Sequence, residues 1–366
     1  MKSIWTFVIL AMMLPPVYEP PFKNTGTPAK LPTAENLFII TTDGFRWQEL
    51  FNGADSITIN SESFTPDTST LKLLYWAETP LERRKKLMPF FWNVIAAKGQ
   101  VYGNREWGNK VNVANLYSLS YPGYNEMLTG HADIMVSSNK KKNNPNMNVL
   151  EYLDSKPAFN GKVAAFSSWD VFPYILNTER NHLPVNSGYS RMEEDGSPVQ
   201  HIINAVQTDV VQEKTATRYD QLTFLTAKEY IQQHHPRVVY LGLGETDEFA
   251  HAGRYDLYLQ QATKVDQMIA ELWHWVQTTP GYKNKTTFII TTDHGRGSKS
   301  SRWTSHGEFI NGSSQTWFAV IGPGIQPSGE IKTNQQQYLQ QMAQTIAGIL
   351  GEEFMFDNVA PSFSLR

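Results

Sequence analysis

The sequence predicts an α/β fold in which a mostly parallel central sheet is sandwiched by helices. Short apolar runs, β-branched in part, recur along the chain, and long helical or mixed segments separate them. Continuous apolar runs are typical of strands buried on both faces, and their alternation with helical segments is typical of a parallel sheet. The predicted strands cover residues 37–42, 163–167, 238–242, 287–292 and 317–322.

The clearest predicted helix covers residues 255–276. Its apolar residues recur every three or four positions and form a single stripe, as expected of a helix that packs against a core. Pro280 and Gly281 follow, so we expect the helix to end near Thr278. The stripe consists of Tyr258, Ala262, Val265, Ile269 and Leu272.

Composition narrows the possible chemistry. The chain has 366 residues, a net charge of -3 and no cysteine. Without cysteine, thiolate metal sites and Cys nucleophiles are excluded, so any metal must be held by His, carboxylate or hydroxyl groups. The charge predicts no nucleic-acid partner, because such a partner requires a strong basic excess. We interpret the one basic run, residues 140–142, as a solvated loop.

The first residues predict export from the cytoplasm. Lys2 precedes an apolar run, residues 4–14, which is too short to span a bilayer but suits a secretory signal. We therefore predict a signal peptide at residues 1–18, without an evident cleavage motif, and a secreted or periplasmic protein. An uncleaved anchor and a disordered start are the alternatives. No later segment is predicted to cross a membrane.

The remainder is predicted to be a linker, residues 19–34, followed by a single catalytic domain, residues 35–355. Two stretches of this domain do not follow the strand–helix alternation. Residues 52–75 are polar and rich in Ser and Thr, and residues 170–220 mix aromatics, Pro, Gly and charge. We expect both to be insertions above the strand ends, the second forming a small cap.

Three aspartates lie at or just after the ends of predicted strands. Asp43 and Asp293 each follow a Thr-Thr pair, and Asp247 follows the strand at 238–242 within a few residues. In an open parallel sheet, ligands bind beyond the carboxyl ends of the strands, so these carboxylates should converge on one edge. One such Asp is usually a cap or turn residue, but three of them favour a shared site.

Three histidines accompany these aspartates. His251 follows Asp247 at i+4, which can place both side chains on one face of a helical turn; His294 adjoins Asp293, and His306 follows in Thr-Ser-His-Gly. Three carboxylates and three imidazoles suit a pair of Zn²⁺ ions, because imidazole favours zinc over magnesium, and another divalent metal is the alternative. The predicted metal ligands are Asp43, Asp247, His251, Asp293, His294 and His306.

A hydroxyl nucleophile is expected within residues 115–130. Ser120 precedes Pro122, which can occupy the first turn of a short helix. A Ser at this boundary is normally an N-cap, yet the same position lets helix N–H groups face a phosphoryl oxygen. The residues alone leave both interpretations open. Ser118 and Thr129 are the other hydroxyls of this segment.

The order of these residues resembles the alkaline phosphatase superfamily, specifically its nucleotide pyrophosphatase/phosphodiesterase-like branch. The resemblance spans roughly residues 35–325. Each motif alone is weak, but five in family order at the ends of predicted strands are a specific signal. They are Thr-Thr-Asp-Gly at 41–44, Ser-Tyr-Pro-Gly-Tyr at 120–124, Asp-Glu-Phe-Ala-His at 247–251, Thr-Asp-His-Gly at 292–295 and Ser-His-Gly at 305–307.

The resemblance implies phosphoric ester hydrolysis through two zinc ions, a Ser nucleophile and a phosphoseryl intermediate on Ser120. Family members often have Thr at this position, and Ser is a chemically mild replacement. The substrate is a small phosphate ester, either a monoester or a diester. In the implied division of ligands, one zinc is held by Asp247, His251 and His306, and the other by Asp43, Asp293 and His294.

Residues that bind the substrate are also implied. The family has an Asn that binds a phosphoryl oxygen about twenty residues after the nucleophile, and Asn144 is our working candidate there. Arg254 and Arg296 lie close in sequence to ligand motifs and are candidate phosphate clamps, and Tyr124 is a candidate contact for a second ester group. The asparagines of this stretch are Asn139, Asn143, Asn144, Asn146 and Asn148.

Three other functions are alternatives. Sulfatases share the fold but require Arg two residues after the Pro of their motif, where this chain has Tyr124. Cofactor-independent phosphoglycerate mutases act on a cytosolic metabolite, which conflicts with the predicted export. A non-catalytic, metal-binding member of the fold is the third alternative. It is disfavoured because six ligands and a hydroxyl are all retained.

Overall fold

The computed structural model describes residues 31–193, 197–211 and 215–366. The predicted signal peptide at 1–18 and most of the predicted linker at 19–34 lie outside these ranges, so export stays a prediction. Among the described residues, no helix combines the length and apolarity that a bilayer span requires.

The secondary structure alternates strands with helices along the chain. The strands are β1 (Asn36–Thr42), β2 (Gln100–Tyr102), β3 (Asn109–Asn112), β4 (Val163–Ser167), β5 (Val185–Ser187), β6 (Val238–Leu243), β7 (Thr286–Thr291), β8 (Gln315–Thr316), β9 (Phe318–Ile321), β10 (Gly329–Glu330) and β11 (Gln335–Tyr338). The α-helices are α1 (Trp47–Asn52), α2 (Thr68–Tyr75), α3 (Pro80–Leu87), α4 (Ala96–Lys98), α5 (Ser120–Thr129), α6 (Val149–Asp154), α7 (Phe172–Ile175), α8 (Pro198–Asp209), α9 (Asp220–His234), α10 (Glu245–His251), α11 (Tyr255–Thr278) and α12 (Met342–Ile349). Short 3₁₀ turns cover Thr58–Asn60, Arg105–Trp107 and Leu339–Gln341, and a π-helical turn covers Phe91–Ile95.

An eight-stranded sheet forms the centre of the fold, in the order β10-β2-β9-β7-β1-β6-β4-β5. Strands β7, β1, β6, β4 and β5 are mutually parallel, whereas β9 runs antiparallel to both β7 and β2. A second, smaller sheet has the order β11-β3-β8. The predicted mostly parallel sheet is therefore confirmed.

Both faces of the large sheet are covered, because side chains alternate along each buried strand. Phe38 and Ile40 of β1 join one core cluster, which includes the apolar stripe of α11. Leu37 and Ile39 point to the opposite face and join a second cluster, to which α5, α6 and α12 contribute. Helices on both faces explain why the central strands carry unbroken apolar runs.

Strand register brings the predicted site residues together. β1 lies between β6 and β7, with Thr42 opposite Leu243 and Thr41 opposite Thr291. The backbone N–H of Asp43 donates to the carbonyl oxygen of Leu243 at 2.9 Å, so Asp43 lies directly beside the end of β6. The carboxyl ends of three neighbouring strands thus open onto one edge, as the sequence predicted.

All five predicted strands are present to within one or two residues, and the predicted helix is α11. Six strands were not predicted, because each has only two to four residues and is too short to show a periodic pattern; they are β2, β3, β5, β8, β10 and β11. The stretch at 170–220, predicted as an insertion or cap, contributes β5 to the edge of the central sheet. The stretch at 52–75 supplies α2 and buries Ile59 and Leu71 against the α11 core.

The helix that begins at Ser120 packs against the end of β7 through a glycine. A Cβ placed on Gly123 of α5 would lie 2.4 Å from the Asp293 carbonyl oxygen, closer than any Cβ can stand. The helix ends at Thr129, and Gly130 caps it with a left-handed φ of 84°. The absence of a side chain at position 123 therefore sets the distance between α5 and the strand that carries Asp293.

Replacing Gly123 with Ala tests this packing. We expect Gly123→Ala to lower the free energy of unfolding by about 1–3 kcal/mol, because a backbone carbonyl cannot move aside as a side chain can. The matched control is Gly348→Ala in α12, where the new Cβ meets only the flexible end of Leu31. Chemical denaturation should show the control neutral or slightly stabilised by its better helix propensity. Equal effects of the two variants would contradict this account.

Candidate metal centre and nucleophile

Two buried carboxylates and an imidazole meet beyond β1 and β7. Asp43 Oδ1 and Asp293 Oδ2 each lie 3.4 Å from His294 Nε2. The other oxygens are satisfied, since Asp293 Oδ1 accepts from Gly44 N at 3.1 Å and Asp43 Oδ2 accepts from the Tyr124 hydroxyl at 3.0 Å. Asp43 Oδ1 and Asp293 Oδ2 accept no hydrogen bond at all. Two orphaned buried acceptors facing one imidazole nitrogen fit a bound cation.

A second group of donors surrounds Asp247. His251 Nε2 lies 3.1 Å from Asp247 Oδ2, which confirms the predicted i, i+4 placement on one face of α10. His306 Nε2 lies 3.8 Å from Asp247 Oδ1 and 3.0 Å from His251 Nε2. Two imidazole nitrogens at that separation suit a shared cation. His294 stands between the groups, because its ligand atom lies within 4.8 Å of donor atoms in both.

The tautomers of two histidines favour metal binding. His294 Nδ1 lies 2.9 Å from the Gly295 carbonyl oxygen, and His306 Nδ1 lies 3.0 Å from that of Ser118. A carbonyl oxygen can only accept, so each Nδ1 carries the proton and each Nε2 presents a lone pair to the centre. These are the forms in which neutral imidazole ligates a metal.

The loop that orients His306 is itself held by a buried glutamate. Glu126 of α5 accepts the backbone N–H groups of Ala114 and Asn115, at 2.9 and 2.7 Å. Asn115 Oδ1 then accepts from Ser118 N at 2.8 Å, which fixes the carbonyl that His306 contacts. Burial raises the pKa of Glu126 to about 7, although these donors oppose the shift. No sequence signal singled out Glu126, because it looks like any helical Glu.

Burial and mutual repulsion govern the charges of the centre. Burial, followed by repulsion from Asp247, raises the pKa of Asp43 well above its ordinary value, and burial and repulsion from Asp43 do the same for Asp293. Burial also acts to raise the pKa of Asp247, but Arg296 and the neighbouring histidines hold it well below its usual range. Burial and the nearby His294 lower the pKa of His306. Burial and mutual repulsion therefore favour the protonated forms of Asp43 and Asp293.

Ser120 lies at the start of α5, with its hydroxyl in the centre. Its Oγ is 3.2 Å from His294 Nε2, and the side chain is buried. The next backbone N–H, that of Tyr121, donates to Asn139 Oδ1 at 3.0 Å. The structure therefore brings the Ser120 hydroxyl into contact with His294, one of the six predicted ligands. Ser118 contributes its carbonyl to His306, and the Thr129 hydroxyl donates to the Asn125 carbonyl oxygen at 2.7 Å.

The other predicted substrate residues occupy different surroundings. Asn144 is buried, and its amide donates to Asn125 Oδ1 at 3.0 Å. Tyr124 is buried, and its hydroxyl donates to Asp43 Oδ2. The Arg254 guanidinium donates to Asp256, and that of Arg296 donates to Asp247. Of the five candidate asparagines, Asn139 is the one that accepts from the backbone N–H of Tyr121, the residue next to Ser120.

Comparison with known proteins supports this picture. The model of the Metalloenzyme superfamily matches residues 196–353, which contain five of the six predicted ligands. No curated protein matches the sequence.

Solved structures share the fold at low identity. Alkaline phosphatase PafA is 10% identical, with 91% of this chain and 98% of that chain covered and a TM-score of 0.59. A phosphonate monoester hydrolase from Silicibacter pomeroyi is 12% identical, with 90% and 75% covered and a TM-score of 0.56. A putative sulfatase from Bacteroides thetaiotaomicron is 11% identical, with 90% and 73% covered and a TM-score of 0.56.

These findings confirm the predicted superfamily resemblance and fold class. The three solved structures are an alkaline phosphatase, a phosphonate monoester hydrolase and a putative sulfatase, and at these identities the likeness shows the fold alone. The family match and the donor groups also indicate a divalent metal. The predicted nucleotide pyrophosphatase/phosphodiesterase-like branch stays a prediction.

Metal binding should release protons from Asp43 and Asp293, the carboxyl groups whose pKa values are raised. Below the raised pKa values of Asp43 and Asp293, an incoming metal must displace their protons, so affinity should fall as pH falls through those values. The lowered pKa of His306 favours its neutral form, so we expect the released protons to come from the carboxyls. Calorimetry of zinc binding near pH 6, in two buffers with different heats of ionisation, should show net proton release.

A carboxylate outside the centre provides the control for this experiment. Asp293→Asn should reduce the number of protons released. Asp256→Asn removes only the partner of Arg254 and should leave that number unchanged. Binding without proton release by the wild-type protein would contradict the charge assignment.

Proposed function

We propose that this chain is a two-zinc phosphoric ester hydrolase in which Ser120 is the nucleophile. The observation that carries the proposal is the 3.2 Å separation between Ser120 Oγ and His294 Nε2, beside the orphaned oxygens of Asp43 and Asp293. A serine hydroxyl is a weak nucleophile at its free pKa, and a neighbouring divalent cation is one established means of activating it. The donor set around Ser120 suits such a cation.

The zinc ions, when bound, would supply charge stabilisation for the alkoxide form of Ser120 and for the leaving oxygen. Ser120 Oγ forms a bond to phosphorus while the bond from phosphorus to the leaving group breaks. The leaving alcohol takes up the proton that the Ser120 hydroxyl loses. Water then attacks the phosphorus of the phosphoserine and regenerates the Ser120 hydroxyl, so that one ester bond is hydrolysed for each water consumed.

The start of α5 is suited to holding the phosphoryl group. N–H groups in the first turn of a helix have no acceptor within the helix, and the positive end of the helix dipole adds to their attraction for anions. Asn139 is exposed and uses Oδ1 to accept from Tyr121 N, which places its amide group beside the nucleophile. We therefore propose Asn139, in place of Asn144, as the residue that donates to a phosphoryl oxygen.

Ser120→Ala tests the nucleophile. We expect hydrolysis to fall on the order of 10⁴-fold or more, because the covalent step is lost, while zinc content stays near that of the wild type. The assay compares p-nitrophenyl phosphate, its bis-ester and an aryl sulfate with zinc present. The substrate that the wild type hydrolyses fastest defines the ester class. A preference for the aryl sulfate would indicate a sulfuric ester hydrolase and contradict the proposed phosphoric ester hydrolase.

The matched control for this test is Ser118→Ala, which removes a hydroxyl two residues earlier. Ser118 contacts His306 through its backbone carbonyl, so we expect at most a severalfold loss. Retention of full activity by Ser120→Ala would reject Ser120 as the nucleophile. Absence of zinc and of any other transition metal from protein purified without chelator would favour a non-catalytic protein.

Paired asparagine variants test the phosphoryl contact. Asn139→Ala should reduce kcat/KM about 10²-fold with little effect on stability, because it removes one donor to the transferred group from an exposed position. Asn144→Ala should mainly reduce stability, since it deprives the buried Asn125 side chain of a hydrogen bond. Activity and thermal unfolding of both variants are measured together. A loss of turnover confined to Asn144→Ala would restore that residue as the phosphoryl contact.

A further inference from the structure

Four large apolar side chains are exposed on the loops that surround the start of α5. A single exposed apolar residue is ordinary, whereas several on neighbouring loops of one site indicate a binding surface. We call these four residues the apolar rim; they are Leu116, Ile134, Met135 and Phe309, with exposed fractions of 52%, 65%, 79% and 87%.

The three loops that carry the apolar rim are joined to one another at residues 116–119. The Tyr117 hydroxyl donates to the Ile134 carbonyl oxygen at 2.7 Å, which joins the second loop to the first. His306 Nδ1 donates to the Ser118 carbonyl oxygen at 3.0 Å, which joins the third. The apolar rim therefore lies on one connected set of loops beside the nucleophile helix.

The donor centre reaches solvent beside the third of these loops. Most of its donors are buried, but the His251 side chain is about half-exposed. His251 Nε2 lies 3.0 Å from His306 Nε2, and Phe309 follows His306 by three residues. The most exposed residue of the apolar rim is therefore carried by the loop at the open side of the centre.

The basic run at residues 140–142 borders the same site. All three of its lysines are exposed. Asn139, immediately before them, accepts from Tyr121 N, next to Ser120. The Tyr121 hydroxyl also donates to the Lys142 carbonyl oxygen at 2.7 Å, so the run is held against the first turn of α5 at both ends.

Two positive charges of this run are available to an anion. Lys141 pairs with Asp170 at 2.6 Å, whereas the other two lysines form no ion pair with any residue that the structure describes. The acidic residues of the rim loops are Asp133, which accepts from the Asn146 amide at 2.8 Å, and the exposed Glu308. Positive charge is thus concentrated on the side of the site where the basic run lies.

We propose that this face docks on an anionic lipid surface, and that the phosphate ester hydrolysed at Ser120 belongs to a lipid of that surface. Apolar side chains that enter the interfacial region are stabilised in proportion to the area removed from water, and neighbouring lysines are attracted to anionic head groups. Lysine is depleted from protein–protein interfaces, so its presence beside the apolar rim favours lipid over a protein partner.

The substrate part of this inference rests on the proposed function, whereas the docking part does not. Phosphate esters of membrane lipids lie at the depth of the head groups, between the acyl chains and water. The apolar rim enters on the acyl side and the lysines stay on the water side. A lipid phosphate therefore reaches the Ser120 hydroxyl while its acyl chains remain in the bilayer.

Vesicle binding tests the docking surface without relying on activity. Zinc-loaded full-length protein, freed of unbound zinc, is sedimented with vesicles of phosphatidylcholine alone or of equimolar phosphatidylcholine and phosphatidylglycerol. We expect the wild type to bind the anionic vesicles about tenfold or more tightly than the neutral ones. Met135→Ser combined with Phe309→Ser should weaken binding to the anionic vesicles about tenfold, because the inserted apolar area is lost.

The matched control for the apolar rim is Met355→Ser combined with Phe356→Ser. These residues are also an exposed Met and an exposed Phe. They follow α12, whose Ile349 carbonyl oxygen accepts from Ala34 N just before β1, at the opposite edge of the sheet. We expect this pair to bind vesicles as the wild type does, and equal losses in the two pairs would overturn the docking surface.

A second pair of variants tests the charges. Lys140→Gln combined with Lys142→Gln should weaken binding to the anionic vesicles about fivefold for each lysine. The control is Lys98→Gln combined with Lys283→Gln, which removes the same charge from positions before β2 and β7, at the opposite edge of the sheet. Equal losses in these two pairs would assign binding to net charge and overturn the proposal.

Hydrolysis separates the substrate from the docking surface. Phosphatidic acid and phosphatidylglycerol in vesicles supply a lipid monoester and a lipid diester, and p-nitrophenyl phosphate and its bis-ester supply soluble ones. Met135→Ser combined with Phe309→Ser should lower hydrolysis of the lipid ester about tenfold and leave that of the soluble ester unchanged. Unchanged hydrolysis of the lipid ester by this variant would overturn the assignment of the substrate.

Failure of this inference is distinguishable from failure of the proposed function. Hydrolysis of soluble esters by a protein that binds no vesicles would overturn the inference and leave the hydrolase intact. Vesicle binding without hydrolysis of any ester would support docking and contradict the hydrolase. Sedimentation without vesicles checks the remaining occupant: a dimer that Met135→Ser with Phe309→Ser dissociates would assign the face to a second copy of the chain and overturn the lipid surface.

Discussion

Three carboxylates in a buried pocket are the constraint around which this structure is built. Asp43, Asp247 and Asp293 lie at or just after the ends of neighbouring strands, and loss of water and mutual repulsion disfavour the charged forms of Asp43 and Asp293. Arg296 and the neighbouring histidines hold the pKa of Asp247 low and favour its charged form. Such a cluster is tolerated only with compensating positive charge, which protons, a metal ion or Arg296 can supply. The parallel register of β1 with β6 and β7 fixes the cluster, and Gly44 and Gly123 allow the surrounding backbone to close on it.

The remaining contacts orient the donors and leave them free to bind. His294 and His306 each commit Nδ1 to a backbone carbonyl, so that both Nε2 atoms face the carboxylates. Tyr124 holds one oxygen of Asp43 and leaves the other without a hydrogen-bond partner. A centre whose outer contacts are made within the protein loses little conformational entropy when a cation binds, which is the physical basis of preorganisation.

The sequence predicted the parts of this site that depend on strand ends and on short spacings. The ends of apolar runs predicted the positions of Asp43 and Asp293. The i, i+4 spacing predicted that Asp247 and His251 share one face of a helix. What it could not predict depends on contacts between distant segments. The choice of Asn139 over Asn144 rests on a hydrogen bond to Tyr121 N, and the pairing of Arg296 with Asp247 spans 49 positions of the chain. Neither contact follows from a local sequence pattern, because each joins segments that meet only in the folded chain.

The central claim is that the orphaned oxygens of Asp43 and Asp293 exist to hold a divalent metal with His294. The most direct measurement is anomalous X-ray diffraction at the zinc edge, from crystals of protein grown with zinc and no chelator. We expect one anomalous peak between Asp43 Oδ1, Asp293 Oδ2 and His294 Nε2, and a second peak near Asp247, His251 and His306. No peak at the first position, in crystals that show zinc elsewhere, would contradict the account.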